Sequence, residues 1–172
     1  MATQNLEPSL DFVFIEEGGY TDDPNDPGGA TNLGITLRVL TAWRHTAVSK
    51  QDVRNLQRGE ASAIYVANYW NVIRGPDLPG GIDLMLFDMG VNMGTARAAR
   101  LLQTAVGVVA DGAIGPGTLE ATRGKDAAGI IGTLVDERTK FYESLPTFPH
   151  FGTGWLGRVQ RARTRALALI QA

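Results

Sequence analysis

Apolar positions along most of this chain recur at helical spacing, and the one long stretch where they do not lies near the front. Pro8 in a first turn, Leu10, Val13 and Phe14 on one face and Gly18 just beyond predict an amphipathic helix over residues 8–17 that ends on Glu16 and Glu17. The period is then lost from Gly18 to Thr36. That stretch holds Gly-Gly twice, the steps Asp23-Pro24 and Asp26-Pro27, and the run Asn-Leu-Gly-Ile-Thr, a pattern of turns around a short hairpin. Helical spacing resumes over 37–47, with Leu37, Leu40 and Trp43, and again over 59–70, with Ala61, Ile64 and Ala67.

Gly75 to Gly81, with Pro76 and Pro79, breaks the chain before an apolar helix over 82–93, whose density of apolar residues places it in the middle of a core. Thr95 caps a helix that Gly107 ends, and Asp111-Gly-Ala-Ile-Gly-Pro-Gly-Thr118 turns into a further short helix. Asp126 caps the next, which reaches Leu145. After Pro146 and Pro149 a last helix over 154–170 puts Trp155, Val159, Ala162, Ala166 and Ile170 on one face and Arg158, Arg161 and Arg165 on another, solvated one. No repeat is visible. The fold class is therefore α+β, mostly helical, with one small β-hairpin after the first helix.

Composition narrows the function more than the fold. The 172 residues are 44% hydrophobic and 20% charged, as in an ordinary folded domain. The absence of cysteine excludes disulfide frameworks, thiolate zinc sites and cysteine nucleophiles. No basic residue precedes the short apolar run Phe12 to Ile15, which predicts a chain made in the cytoplasm without a signal peptide and with no stable membrane insertion. Residues 1–90 hold 6 Lys+Arg against 12 Asp+Glu, and residues 91–172 hold 10 against 6, so the halves carry −6 and +4. That mixture is too mild for nucleic-acid binding; it fits two lobes facing a polymer, and equally well an ordinary scatter of surface charge. His45 and His150 lack partners at ligand spacing, and a calcium loop begun at Asp23 would need ligands where Pro27 and Gly34 stand. Neither a metal nor a cofactor is expected.

A mostly helical protein seldom carries a long loop without a functional reason. Glu17 stands at the entrance of this one, on a helix C-terminus whose partial negative charge disfavours a second anion, as a general acid requires. Glycoside hydrolysis usually needs another carboxylate to activate water or steady positive charge. Asp22, Asp23 and Asp26 are available, each also a natural turn former. Asp26, nine positions after Glu17, is best placed for a turning loop to bring it across a cleft, and Thr31 beyond it can hold a water. Tyr20, Tyr65, Asn68, Tyr69 and Trp70 have the chemistry of a sugar cleft, with core packing the competing role; Trp43 is assigned to the core. Asn92, polar inside an apolar helix, is either a satisfied core amide or a substrate contact.

The run from Glu17 to Thr36, Glu-Gly-Gly-Tyr-Thr-Asp-Asp-Pro-Asn-Asp-Pro-Gly-Gly-Ala-Thr-Asn-Leu-Gly-Ile-Thr, resembles the opening motif of glycoside hydrolase family 108, a group of bacterial and phage N-acetylmuramidases. The likeness continues through Ala63-Ile-Tyr-Val-Ala-Asn-Tyr-Trp70 and Phe87-Asp-Met-Gly-Val-Asn-Met-Gly94, and from about residue 95 the chain is similar to the peptidoglycan-binding module that follows in this family. The resemblance implies a lysozyme-like fold that cleaves between N-acetylmuramic acid and N-acetylglucosamine, with Glu17 as the acid. More distant phage-type lysozymes carry a Glu, Asp, Thr triad; the Glu17 to Asp26 spacing matches it, while Thr31 comes one residue early.

The expected layout is a catalytic lobe over 1–94 and a helical peptidoglycan-binding lobe over 95–172, in one cooperative, monomeric body. Its partner is bacterial peptidoglycan, reached through a holin-type pore or a secretion system. A lytic transglycosylase and a non-catalytic wall-binding or secretion-associated module are the alternative readings.

Overall fold

The computed structural model describes residues 5–22 and 29–170. Asp23 and Asp26 lie outside the described residues. Two compact units divide the chain, one formed by Leu10–Asn68 and the other by Met1–Ser9 with Tyr69–Ala172. The first boundary falls within helix α1 (Leu6–Glu17) and the second within a π-helical turn, Val66–Trp70.

In the first unit, Leu10, Phe12, Val13 and Phe14 of α1 are buried, which matches the apolar face read from their spacing. Strands β1 (Thr31–Asn32) and β2 (Ile35–Thr36) pair antiparallel, Thr31 opposite Thr36 and Asn32 opposite Ile35. Leu33 and Gly34 between them have φ of 51° and 74°, so both central residues of the two-residue turn are left-handed, as the tightest hairpins require. Thr36 then caps α2 (Leu37–Arg44) by accepting from Val39 N–H. Helix α3 (Lys50–Arg54) was not expected from periodicity, since five residues are too few to show a period. Its signal is the capping box of Ser49 and Asp52. Asn32, 9% exposed, donates to the carbonyls of Val53 and Arg54 at 3.0 and 3.1 Å and so ties the hairpin to the end of α3. Helix α4 (Arg58–Tyr65) runs into the π turn, where a continuous helix was expected.

The second unit is built around α5 (Ile82–Met93), whose residues from Ile82 to Gly90 are all buried, as its apolar density predicts. It packs against α6 (Thr95–Val106), α8 (Ala127–Glu143) and α9 (Phe148–Ile170). Helix α7 (Pro116–Arg123) packs against α6. Helix α9 starts at Phe148 and not near 154 because Pro149, in its first turn, gives up an N–H that the helix would leave unpaired there. Arg158 corrects the sequence-based picture of α9: it is only 9% exposed and its Nε bonds Asp88 at 2.8 Å, so it belongs to the interior and not to a solvated face. The run from Asp111 serves a turn. Asp111 accepts from Ala113 N–H at 2.9 Å and from the amide of buried Gln103 at 2.7 Å, and these bonds hold its carboxyl below the ordinary value.

Asp83 is wholly buried in the first turn of α5, where its carboxylate accepts from Asn5 at 2.9 Å and from Leu84 N–H at 2.7 Å. Burial raises its pKa from the ordinary 3.8, and those hydrogen bonds only partly oppose the shift. A raised folded-state pKa contributes stability that is complete below the unfolded value and is lost as pH rises through the folded one. Asp83→Asn should therefore gain in melting temperature relative to the parent chain between about pH 3 and about pH 7, with the difference smallest at the acid end. A difference that stays constant across that range in calorimetric scans would contradict it.

Candidate active site

Glu17 is the last residue of α1, and Gly18 N–H closes the helix on Phe14 C=O at 3.1 Å before the backbone turns left-handed at Gly18 (φ 76°). The Glu17 side chain is half-buried. The turn of the hairpin sits directly against it: a Cβ placed on Gly34 would lie 2.9 Å from Glu17 Cγ and would also overlap the Tyr65 hydroxyl. Tyr65, 1% exposed, donates from that hydroxyl to Leu33 C=O at 2.9 Å and meets the edge of Phe14 at 5.4 Å and 88°. Three elements far apart in sequence thus meet at Glu17: the end of α1, the β1–β2 turn, and α4.

This packing makes Gly34 testable. Gly34→Ala adds a left-handed backbone cost of roughly 1–2 kcal/mol and drives a methyl into Glu17 and Tyr65. Gly29→Ala carries a comparable φ (68°) in open space and provides the control. Both variants should lose stability, but only Gly34→Ala should lose activity well beyond what its unfolded fraction explains; equal losses per folded molecule would remove the positioning role of the turn.

Thr31 is brought back toward the start of the loop. Its backbone exchanges two hydrogen bonds of 2.9 Å with Thr21, and the two hydroxyls are 2.8 Å apart. Tyr20 lies under the Arg54 guanidinium, 4.4 Å from the ring centroid. Asp22 receives Lys50 Nζ at 2.9 and 3.1 Å, an ion pair that raises the lysine pKa. Asn68 shares a pocket of about 450 Å³ with Arg38, Val39, Ala42, Trp43 and His45. Trp43 at 37% exposure faces this pocket, which corrects its assignment to the core and supplies an aromatic face that the period of α2 did not reveal.

In the other unit Trp70 is 2% exposed, edge-on to Phe87 at 5.4 Å, with Gly75 closed over its ring. Tyr69 is half-buried and its carbonyl accepts from Ile73 N–H at 2.9 Å. Asn92 is exposed, and its Oδ1 accepts from the Tyr142 hydroxyl.

The family model Glycosyl hydrolase 108 matches residues 10–94, the span that carries Glu17, the hairpin and α5. Among solved structures, that of SagA from Brucella abortus is 47% identical, with a TM-score of 0.89 over 99% of this chain and 98% of that one. The chain belongs to glycosyl hydrolase family 108. It is therefore a glycoside hydrolase in a family of peptidoglycan hydrolases, and its α+β, lysozyme-like fold is that of the SagA structure. A comparison with curated proteins finds no match. The Glu-Gly-Gly-Tyr run ends α1 on Glu17, and Asn-Leu-Gly-Ile-Thr forms the turn that packs on it. Asn32 and Gly34 are the residues that sequence reasoning left without a role, and the two-residue turn with its glycine was the signal for the second.

Proposed function

We propose that this chain is a muramidase, hydrolysing the β-1,4 bond between N-acetylmuramic acid and N-acetylglucosamine in peptidoglycan, with Glu17 as the general acid. The packing of Glu17 against the Gly34 turn and Tyr65 carries the reading, because a proton donor must be held in one place while its half-exposed carboxyl reaches the leaving oxygen. Asp26 is the proposed second carboxylate and Thr31 the proposed water-positioning hydroxyl. Thr31 already shares a hydrogen bond with Thr21 at 2.8 Å. Tyr20, Asn68 and Tyr69 are the proposed sugar contacts, joined by Trp43, which lines the Asn68 pocket. Tyr65 and Trp70 act from the core, the first by supporting the turn.

The substrate lies outside the cytoplasmic membrane, and among the described residues no helix is long and apolar enough to cross one. The decisive experiment is digestion of purified sacculi with mass analysis of the products. Reducing N-acetylmuramic acid ends are expected. Products ending in 1,6-anhydro sugars would make the chain a lytic transglycosylase, and binding without release of any fragment would make it a wall-binding module.

A further inference from the structure

The cations of the unit Leu10–Asn68 divide by what faces them. Arg44 holds Glu60 with two hydrogen bonds of 2.8 and 2.7 Å, Lys50 pairs with Asp22 and Arg58 with Asp11, and the Arg54 guanidinium lies over Tyr20. Among the described residues, Arg38 alone of these side chains has neither an acidic partner nor a ring. It is exposed, stands in the first turn of α2 and lines the pocket of about 450 Å³ together with Trp43, His45 and Asn68. That volume falls within the range of roughly 300–1,000 Å³ that small-ligand sites occupy.

Three residues of this pocket are placed against their own local preference. A cation in the first turn of a helix opposes the macrodipole, whereas Arg44 in the last turn of the same helix suits it. His45 ends α2 at φ 54°, a left-handed position that costs any residue with a Cβ and that glycine or asparagine ordinarily fills. Trp43 leaves 37% of its surface open and meets no other ring among the described residues. None of these choices helps α2 to form, and all three converge on one cavity, as residues selected for binding do. Their spacing is regular: Arg38, Ala42 and His45 stand at i, i+4 and i+7, with Val39 and Trp43 beside them at i and i+4. Both walls of the pocket grow out of elements that meet at Glu17. Arg38 follows Gly34 by four residues, a span of at most about 14 Å, and Asn68 follows Tyr65 by three.

We infer that this pocket recognises a carboxylate carried on the lactyl arm of N-acetylmuramic acid, and that Arg38 thereby selects acidic strands over neutral polymers of N-acetylglucosamine. The planar guanidinium donates two parallel hydrogen bonds to one carboxylate. The open face of Trp43 covers the adjoining apolar surface of the sugar, and the Asn68 amide has both a donor and an acceptor for the amide group beside it. Val39 and Ala42 supply the apolar lining. The carboxylate has two sources, the free lactyl acid of a bare strand and the stem-peptide acid of a substituted one. This inference rests on the muramidase reading for its substrate and names the substituent that decides which strands are taken.

The test follows the Trp43 indole N–H by NMR in the full chain, assigned by its loss in Trp43→Phe, during titration with three ligands. N-acetylglucosamine lacks the lactyl arm, N-acetylmuramic acid carries the carboxylate on the arm itself, and N-acetylmuramoyl-L-alanyl-D-isoglutamine carries it on the peptide. At least one of the two acids should bind about tenfold more tightly than N-acetylglucosamine. Arg38→Ala should remove that preference, and Arg38→Lys, which keeps the charge without the fork, should restore part of it. Arg163→Ala, which removes an exposed charge from the other unit, should leave all three titrations unchanged. Tighter binding of N-acetylmuramic acid assigns the lactyl carboxylate, and tighter binding of the dipeptide derivative assigns the stem-peptide one. On sacculi, Arg38→Ala should raise KM about tenfold at nearly constant kcat, because the contact is equal in the ground and transition states. An Arg38→Ala chain that keeps the preference for acids overturns the inference, as does a Trp43 signal that none of the ligands moves. The muramidase reading is judged separately. Digestion products without reducing N-acetylmuramic acid ends would sink that reading while an acid preference stands, and normal products from a chain with no acid preference would sink this pocket alone.

Discussion

Glu17→Gln should abolish lysis of sacculi, with initial rates lower by roughly 10² to 10⁴-fold, while the chain folds as before. Glutamine keeps the size and the hydrogen-bonding capacity of the side chain but has no proton to give to the leaving oxygen. The residue is half-buried at a helix terminus, so the substitution empties no cavity, and the contacts of its Cβ and Cγ with the Gly34 turn are retained. Glu16→Gln changes charge at the same helix end and should be close to neutral, so electrostatics alone is controlled within one residue. Asp26→Asn should cost activity too. It should cost as much as Glu17→Gln if Asp26 is the sole base, and less if the acetamido group of the substrate or Asp22 assists. Initial turbidity loss for the three variants, with circular dichroism to confirm folding, decides among these outcomes. A folded Glu17→Gln chain that lyses normally beside an inactive Glu16→Gln chain would move the acid by one residue.

How far the sequence was legible depended on how local the cause was. The end of α1 at Glu17 and the hairpin after it were readable because Gly18, Leu33 and Gly34 act within a few residues: two left-handed positions make a two-residue turn, and one makes a helix stop. The central place of α5 was readable because a helix apolar on all sides has nowhere else to go. Arg158 and Trp43 were misplaced for the opposite reason. The period of α9 puts Arg158 among arginines, and its bond to Asp88, seventy residues earlier in the chain, is a long-range contact that no local pattern shows. Trp43 looks like a core residue by type, but the pocket that it lines with Asn68 depends on where α4 brings the π turn. The runs that carried the family resemblance also divide by cause once folded. Glu17 is the proposed acid, Asn32 and Gly34 belong to the turn that packs on it, and Asp88 and Asn92 to a network that begins in the interior.

That network yields the largest expected loss of stability. Asp88 is wholly buried between two guanidiniums, accepting from Arg138 Nη1 at 2.6 Å and from Arg158 Nε at 2.8 Å, with Arg158 Nη2 in ion-pair contact at 2.7 Å. One carboxylate thus offsets two cations, of which Arg138 is completely enclosed. Removing the carboxylate takes from wholly buried Arg138 and from Arg158 the anion that they share, whereas removing the whole group exchanges it for packing. Asp88→Asn should therefore cost about 3–5 kcal/mol in urea unfolding, read as a lower midpoint at constant slope. The combined Asp88→Leu, Arg138→Met, Arg158→Leu chain should recover most of that loss, since its side chains fill similar volumes with no ion to desolvate. A triple variant as unstable as Asp88→Asn would mean that the site requires shape more than charge, and a fully stable Asp88→Asn chain would show that the two arginines find other anions or water.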